Sequence, residues 1–474
     1  MNRAHSCSVY KKCGGCQLTN MTYEEQLSHK MKYLIAKLGK FCRVEEIIGM
    51  DDPLHYRNKM QAAFSGDGRG NIVSGVWQSA SRRVVKTDAC LIEDETSLWI
   101  VRAARNMLRD YKITVYNEKN GKGILRHIMI RRAHVTGEIM VVIVTNGDKL
   151  PRGKEFAEEL ARRFPQIHTV VHYVNNTEIP LWLEKQKEVL FGNGYIEDIL
   201  CGKRFKISAK SFYQVNSVQT EVLYGKAVDF AGLTGKEIVI DAYCGIGTIG
   251  IIASDNAGQV IGIETEPAAV KNATENAKLN KVKNYKVIGG DAGKIMTKLV
   301  AEGKRPDVVF ADPPRAGCTK EFLLAIVKCA PQKLVYVSCN PDTLARDAAF
   351  LTRNGYKVTK IQPVDLFPHT DHVETVILLS RKDVYERIKF DVNVEDLQGR
   401  ASSTATYSEI KAYILEKYGL KVSSLYIAQI KDKCGFEKRD NYNIGEGKSK
   451  ELICPPEKEQ AIMDAFKHFG MLRD

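Results

Sequence analysis

Cys339 lies in the run Ser338-Cys339-Asn340-Pro341, where an apolar strand gives way to a helix that opens on proline. A lone cysteine at a strand end is usually a small buried hydrophobe. Here the N-terminus of a helix follows it, and that partial positive charge can lower a thiol pKa and favour the nucleophilic thiolate. Glu374 lies in Asp371-His372-Val373-Glu374-Thr375, where the last strand opens. A carboxylate at the polar edge of a sheet can serve as a base, although alone it is more often solvated or salt-bridged. Asp312-Pro313-Pro314-Arg315 ends a further strand, and its prolines stiffen a loop at the carboxyl edge of a sheet, where active sites lie.

A second constellation suits a nucleoside. The strand Ile238-Val239-Ile240-Asp241 runs into Ala242-Tyr243-Cys244-Gly245-Ile246-Gly247-Thr248. Two glycines let the backbone turn tightly at a strand end, close to a ligand. Glu264 ends the next strand, and a carboxylate there can accept hydrogen bonds from both ribose hydroxyls. Asp291 and Asp312 end the third and fourth strands. The glycine turn alone fits a structural turn or a dinucleotide site. The missing third glycine of G-x-G-x-x-G argues against NAD and fits S-adenosylmethionine better.

Cysteine placement adds a third. Cys7, Cys13 and Cys16 crowd the N-terminus and Cys90 follows. Four thiolates suit tetrahedral zinc or an iron–sulfur cluster, and the spacing alone leans to zinc. The start, Met1-Asn2-Arg3-Ala4-His5-Ser6-Cys7, lacks the apolar core of a secretion signal. No apolar run approaches the roughly 18–20 residues of a membrane span. A cytoplasmic location is expected, where thiols stay reduced, so the 12 cysteines are not read as a disulfide framework. Cys42, Cys201, Cys244, Cys318, Cys329, Cys434 and Cys454 have no such grouping and are read as packing.

These residues need elements to hold them. Residues 22–38 place apolar side chains at helical spacing, with Thr22 as N-cap and Glu25 three residues on. Residues 55–90 carry short alternating runs and four glycines, which predicts hairpins, and 128–132 with 139–144 predict another around Gly137. A helix over 152–163 and a strand over 169–173 complete an α+β region. From about residue 237, strands at 237–243, 260–264, 285–288, 307–311 and 333–338 alternate with helices at 267–280, 319–329 and 341–354, and strands at 356–362 and 374–379 close the set. That rhythm predicts a mostly parallel, doubly wound α/β sheet with ligands at the strands' carboxyl ends. The expected division is a cluster-bearing, RNA-binding region over 1–200, a catalytic domain over 201–383 and a helical tail over 384–474. In the tail, helices at 407–418 and 423–434 are spaced like a helix-turn-helix.

Asp312-Pro-Pro-Arg315, Ser338-Cys-Asn-Pro341 and His372-Val-Glu-Thr375, with Ser211-Phe-Tyr-Gln214-Val-Asn216 ahead of them, resemble the RNA uracil-5-methyltransferases. The likeness covers most of residues 1–380, with the motifs in the right order. It implies a class I methyltransferase fold using S-adenosylmethionine. Cys339 would be the nucleophile and Glu374 the base. Gln214, Tyr243, Thr248, Glu264, Asp291 and Asp312 would line the cofactor or substrate site, and Thr248 and Asp291 stand where some members carry Asn. Cys7, Cys13, Cys16 and Cys90 resemble the [4Fe–4S] site of the family's rRNA branch, which the tRNA branch lacks. The resemblance therefore implies methylation of a uridine in 23S rRNA; a monomer is expected. A tRNA T-loop enzyme is the near alternative. A non-catalytic RNA-binding protein on a methyltransferase scaffold is the distant one, and such a protein would be expected to lose the nucleophile or the base.

Charge agrees with an RNA partner without demanding one. The chain has 70 Lys and Arg against 57 Asp and Glu, a formal net charge of +13. The stretch 381–474 holds 17 basic and 16 acidic residues, so the excess lies ahead of the tail. Arg126, Arg131, Arg132 and His134, and Lys203, Arg204, Lys206 and Lys210, are candidate phosphate contacts. A base attacked by Cys339 must leave its stack, which favours single-stranded or loop RNA.

Overall fold

Alternating apolar patterns and glycine turns in the first part of the chain build an antiparallel-rich sheet, seen in a computed structural model that describes residues 7–66, 71–78, 81, 83–177, 179, 183–382, 407–434, 454–469 and 471–472. Its strands are β1 (Lys59–Gly66), β2 (Ile72–Trp77), β3 (Val84–Lys86), β4 (Leu125–Arg132), β5 (Ile139–Thr145), β6 (Ile167–Val174) and β7 (Lys185–Phe191), in the order β3-β2-β1-β4-β5-β6-β7. The expected hairpin at Gly137 is the antiparallel pair β4–β5. Helices Glu95–Met107 and Gly153–Arg163 cover one face, whose core includes Ile128, Ile130, Val141, Leu98 and Phe156. A two-stranded ribbon, β8 (Tyr195–Leu200) with β9 (Lys203–Ser208), follows.

The second sheet contains β10 (Ile238–Ala242), β11 (Gln259–Glu264), β12 (Tyr285–Gly289), β13 (Val308–Ala311), β14 (Lys333–Ser338), β15 (Tyr356–Val364) and β16 (Glu374–Arg381). Their order is β12-β11-β10-β13-β14-β16-β15. β10 to β14 run parallel, and their near-continuous Val and Ile content suits a sheet buried on both faces. β16 enters antiparallel between β14 and β15. The doubly wound α/β reading is borne out. The order reverses at β10, so the crevice beyond the carboxyl ends of β10 and β13 is the expected ligand position.

Thr22 caps the N-terminal helix Tyr23–Leu38 with a full capping box, Glu25 N–H donating to Thr22 Oγ1 at 3.3 Å and Thr22 N–H to Glu25 Oε2 at 2.8 Å. Its buried stripe is Gln26, Lys30, Leu34 and Leu38, a spacing of four. Leu34 and Leu38 share a core with Leu344, Leu351 and Tyr356 of the second sheet's flank, so this early helix packs on late elements. Lys30 Nζ meets Asp365 Oδ1 at 2.6 Å with both side chains essentially inaccessible.

Residues Met1–Val384 form one compact unit and Tyr385–Asp474 another. In the second, helices Tyr407–Tyr418 and Ser424–Lys433 match the expected pair. A third helix, Pro456–His468, was not foreseen and opens with proline in its first turn. Ile410, Ile414, Ile427, Ile430, Ile462 and Phe466 form that unit's own core. No helix among the described residues is long and apolar enough to cross a membrane.

Candidate active site

Strand direction collects the chemistry. The carboxyl ends of β10 to β14 share one edge, and β16, being antiparallel, begins there. Ser338 pairs with Thr375 in the β14–β16 register, so Cys339 and Glu374 come next, opposite one another. They open into a cleft of about 1070 Å³ that also reaches Gln214, Tyr243, Thr248, Glu264, Asp291 and Asp312. Two loops are braced together beneath the thiol. Asn340 Nδ2 donates to the Arg315 carbonyl at 3.1 Å, and Thr343 Oγ1 donates to the same oxygen at 3.3 Å. Asn340 also caps helix Pro341–Arg353, accepting from Asp342 N–H at 3.1 Å.

The glycine turn is built as its sequence suggested, with Gly245 and Gly247 at φ 56° and 87°. Tyr243 also adopts a left-handed φ of 64°, an uncommon choice for a bulky residue that marks local strain at the cleft. Glu264 accepts from Gly245 N–H at 3.0 Å and Glu266 N–H at 2.8 Å, which holds its carboxylate at the cleft. Asp291 caps the helix Ala292–Ala301, accepting from Lys294 N–H at 3.0 Å. Buried Asp241 accepts from Gly250 N–H at 2.8 Å and is pushed up to about 7 by burial. The side chains of Gln214 and Thr248 both hydrogen-bond the hydroxyl of Tyr224, which is itself buried.

The acid–base groups are coupled. Burial raises Glu374 well above the usual carboxylate range, the Asp312 charge raises it further, and Arg315 opposes both. Desolvation pushes Asp312 up to about 7. Helix Pro341–Arg353 does begin beside Cys339, but its thiol is raised rather than lowered. Desolvation dominates that shift, the Glu374 charge adds to it, and Arg315 works against it through charge and a hydrogen bond. The expectation that the helix N-terminus can lower this thiol is therefore corrected: burial and the two neighbouring carboxyl groups outweigh the helix end, with the Arg315 guanidinium opposing them. Arg315 Nη2 also lies 3.2 Å from His372 Nε2.

Three of the four N-terminal thiols, Cys13, Cys16 and Cys90, reach one cleft despite their sequence separation. Residues 55–57 run beside 91–93, with His55 N–H donating to Leu91 O and Arg57 N–H to Ile92 O, both at 2.8 Å, and this carries Cys90 to the N-terminal loop. Cys13 ends a one-turn helix, and Gly14 follows it at φ 70°. Cys13, Cys16 and Cys90 line the same cleft as Cys339, and the Cys7 charge is felt at Cys13 and Cys16. Backbone N–H groups point at sulfur, from Gly15 at Cys13 and from Ile92 and Glu93 at Cys90. Burial and mutual repulsion push Cys16 up to about 11, and burial with the Glu93 charge pushes Cys90 up to about 12. Among the described residues, no three His, Cys, Asp or Glu side chains stand at metal-ligating geometry.

Most of the expected phosphate contacts are engaged elsewhere. Arg126 is buried, pairs with Glu118 at 3.0 Å and donates to the Asn175 and Thr177 carbonyls. Fully buried Arg131 donates to the Ser211 carbonyl at 2.9 Å, and Arg132 pairs with Asp94 at 2.5 Å. Lys203, Arg204 and Lys206 pair with Asp255, Glu197 and Glu275, and Lys210 donates to the Glu184 carbonyl. These cations brace β4, the ribbon and their neighbours. The cleft's own cations, Arg57 and Lys59 on the approach to and start of β1, were not foreseen, nor was Tyr224. Tyr224 rides on helix Ser217–Ala231, whose signal was present: an Asn216 cap and apolar positions at 223, 224, 227 and 231.

A family model described as tRNA (Uracil-5-)-methyltransferase matches residues 183–382. An uncharacterized RNA methyltransferase of Clostridium acetobutylicum is 43% identical over 384 residues, covering 80% of this chain and 83% of the relative. An uncharacterized RNA methyltransferase of Caldanaerobacter subterraneus is 44% identical over 379 residues, covering 79% and 84%. Among solved structures, the chain is similar to the Pyrococcus abyssi tRNA (uracil-54, C5)-methyltransferase in complex with S-adenosyl-L-homocysteine. The TM-score is 0.67 at 28% identity, over 77% of this chain and 85% of that one.

Proposed function

Because the chain belongs to the RNA uracil-5-methyltransferase family, we propose that it methylates C5 of a uridine in 23S rRNA through a covalent Cys339 adduct. The observation that carries the reading is the register that sets Cys339 opposite Glu374 in one cleft with Glu264, Asp291 and Asp312. C5 of uracil is a poor nucleophile. The Cys339 thiolate adds to C6, the C5–C6 π pair moves into an enolate, and C5 becomes nucleophilic. Glu264, with Tyr243 and Asp291 beside it in the cleft, would hold S-adenosylmethionine, whose sulfonium would supply the methyl group: the C5–CH3 bond forms as the S–CH3 bond breaks, and S-adenosylhomocysteine is the leaving group. Glu374 then takes the C5 proton, the C6–S bond breaks, and the thiolate returns. Once the sulfur is bonded to carbon it carries no charge, so one negative neighbour of Glu374 is gone when that carboxylate has to form. Arg315 supports both anions in turn. Gln214 supports either the uracil edge or the cofactor, from a position fixed by Tyr224.

For Cys7, Cys13, Cys16 and Cys90 we propose a [4Fe–4S] cluster, with zinc as the alternative. The donor set supports it: Cys16 is in electrostatic reach of Cys7 and Cys13 and is felt at Cys90, and backbone N–H groups of Gly15, Ile92 and Glu93 favour the thiolates of Cys13 and Cys90. Its proposed role is to hold the N-terminal loop against the cleft, because the methylation balances without electron transfer. The likeness to a tRNA enzyme favours the alternative substrate, whereas the four-thiol set favours rRNA. Mass mapping of 5-methyluridine in rRNA and tRNA from cells with and without the protein decides between them, and loss confined to tRNA overturns the rRNA assignment. A colourless protein with stoichiometric zinc and no iron overturns the cluster. A Cys339→Ala enzyme with full turnover overturns the mechanism.

A further inference from the structure

Cys339 is open on a second side. A groove of about 730 Å³ reaches it, lined by His29, Lys32, Tyr33, Arg315, Asn340 and His372 among others. Cys339, Arg315 and His372 border both this groove and the larger cleft. Its outer wall is helix Tyr23–Leu38, which is fastened to the strands and loops around the thiol. Lys30 meets Asp365 and also donates to the Phe367 carbonyl at 3.0 Å. The Gln26 side chain accepts from His369 N–H at 2.8 Å, and Tyr33 Oη donates to Asp342 at 2.6 Å. Residues 29, 32 and 33 sit at i, i+3 and i+4, so they share one face beside that buried anchor. Lys37 is paired with Asp342, but among the described residues Lys32 and His29 carry no ion pair and are exposed. Among the described residues that line the groove, Asp371 is the only carboxylate, and it lies 3.6 Å from His372 Nδ1.

A uridine attacked at C6 must reach the thiol while the methyl donor fills the cofactor end of the cleft, and the strand on either side needs a way out. We propose that this groove carries the RNA backbone next to the target uridine, with Lys32 and His29 on phosphodiester oxygens. The inference rests on the function proposed above. It also gives the chain an RNA contact from cations outside any ion pair among the described residues, unlike Arg126 of β4 and the paired lysines of β9. An exposed ammonium beside an exposed imidazole, on a helix anchored from its buried side, fits a polyanion, and the ammonium's contribution is lost with salt.

The test uses the full chain and a fluorescein-labelled oligouridylate, read by anisotropy between 50 and 200 mM salt. Lys32→Ala is expected to weaken binding about three- to tenfold at low salt and to reduce the log–log salt slope by about one. Lys32→Arg is expected to retain both, and His29→Ala combined with Lys32→Ala to lower affinity further. S-adenosylhomocysteine affinity and the rate of adduct formation at saturating RNA are expected to match wild type, which separates backbone contact from misfolding. Lys32→Ala and Lys32→Glu proteins with wild-type affinity and slope overturn the groove alone, provided the wild type transfers tritiated methyl to total RNA from cells lacking it. A wild type that methylates no RNA overturns the proposed function and the groove with it.

Discussion

Replacing Glu374 by Gln changes two things at once, and the geometry gives the sign of each. Gln is nearly isosteric with a carboxyl that is only 4% exposed, so the β14–β16 pairing should survive. First, the base is gone. General-base assistance is worth roughly 10²–10⁴-fold, or about 3–5 kcal/mol of barrier, and that loss falls on C5 deprotonation, after the C6–S bond has formed. The methylated adduct should therefore accumulate. Second, the charge is gone. The Glu374 carboxylate is one of the causes that raise the Cys339 thiol, behind desolvation. In wild type the thiolate fraction grows as pH rises toward that raised pKa, so adduct formation should climb with pH through neutrality. In Glu374→Gln the same climb should begin at lower pH. The assay is denaturing electrophoresis of protein with labelled RNA and S-adenosylmethionine, sampled over time from pH 6 to 9. A slow-clearing adduct whose formation profile shifts to lower pH supports the arrangement. Wild-type turnover, or no adduct at any pH, refutes Glu374 as the base, and a trapped adduct with an unshifted profile refutes the electrostatic coupling.

Other expectations follow from single contacts. Lys30→Met leaves Asp365 buried with only the Tyr23 hydroxyl, at 3.0 Å, on the other oxygen, and should cost about 3–5 kcal/mol; thermal melting should fall by several degrees, and adding Asp365→Leu should recover most of it, whereas an unchanged midpoint in the single variant shows the pair to be dispensable. Asp312 is protonated more readily folded than unfolded, so its contribution to stability is full below the ordinary carboxylate range and is lost as pH rises through about 7; Asp312→Asn should flatten the urea midpoint between pH 4 and 7, and equal slopes for variant and wild type count against the shift. A Cβ at Gly250 would lie 2.6 Å from Tyr285 Cε2 and 2.8 Å from Asp241 Oδ2; Gly250→Ala should displace the glycine turn and weaken S-adenosylhomocysteine binding by calorimetry, and wild-type affinity would show that the turn tolerates the methyl.

The catalytic half was legible because its chemistry sits at strand ends in local motifs. Asp312-Pro-Pro-Arg315 and Ser338-Cys339 could be placed at a sheet edge from apolar strands alone, and parallel βα repeats leave few ways to assemble them. Legibility stopped where function depends on partners far along the chain. Nothing near Arg126 or Lys206 in sequence announces Asn175 or Glu275, so the pairing of these cations within the protein could not be read ahead of the fold. Tyr224 was passed over because, on a helix with a readable Asn216 cap and apolar stripe, nothing local marks one buried residue's hydroxyl as reaching the cleft. The N-terminal helix was recognised by its capping box, but Lys30 could not be matched with Asp365, more than three hundred residues away.

Residue types and spacing by themselves marked a candidate nucleophile at Cys339, a candidate base at Glu374, a glycine turn followed by an acid at the next strand end, and three crowded N-terminal cysteines, all on an α/β scaffold. These are properties of short segments, and local sterics and hydrophobic period specify them. Tertiary structure decided which groups meet. The antiparallel entry of β16 set Glu374 across from Cys339, burial raised both while Arg315 opposed the rise, and the docking of helix Tyr23–Leu38 beside the thiol left a second groove reaching it. Charge and desolvation act through space, and which charges share a space is settled only when the chain has folded.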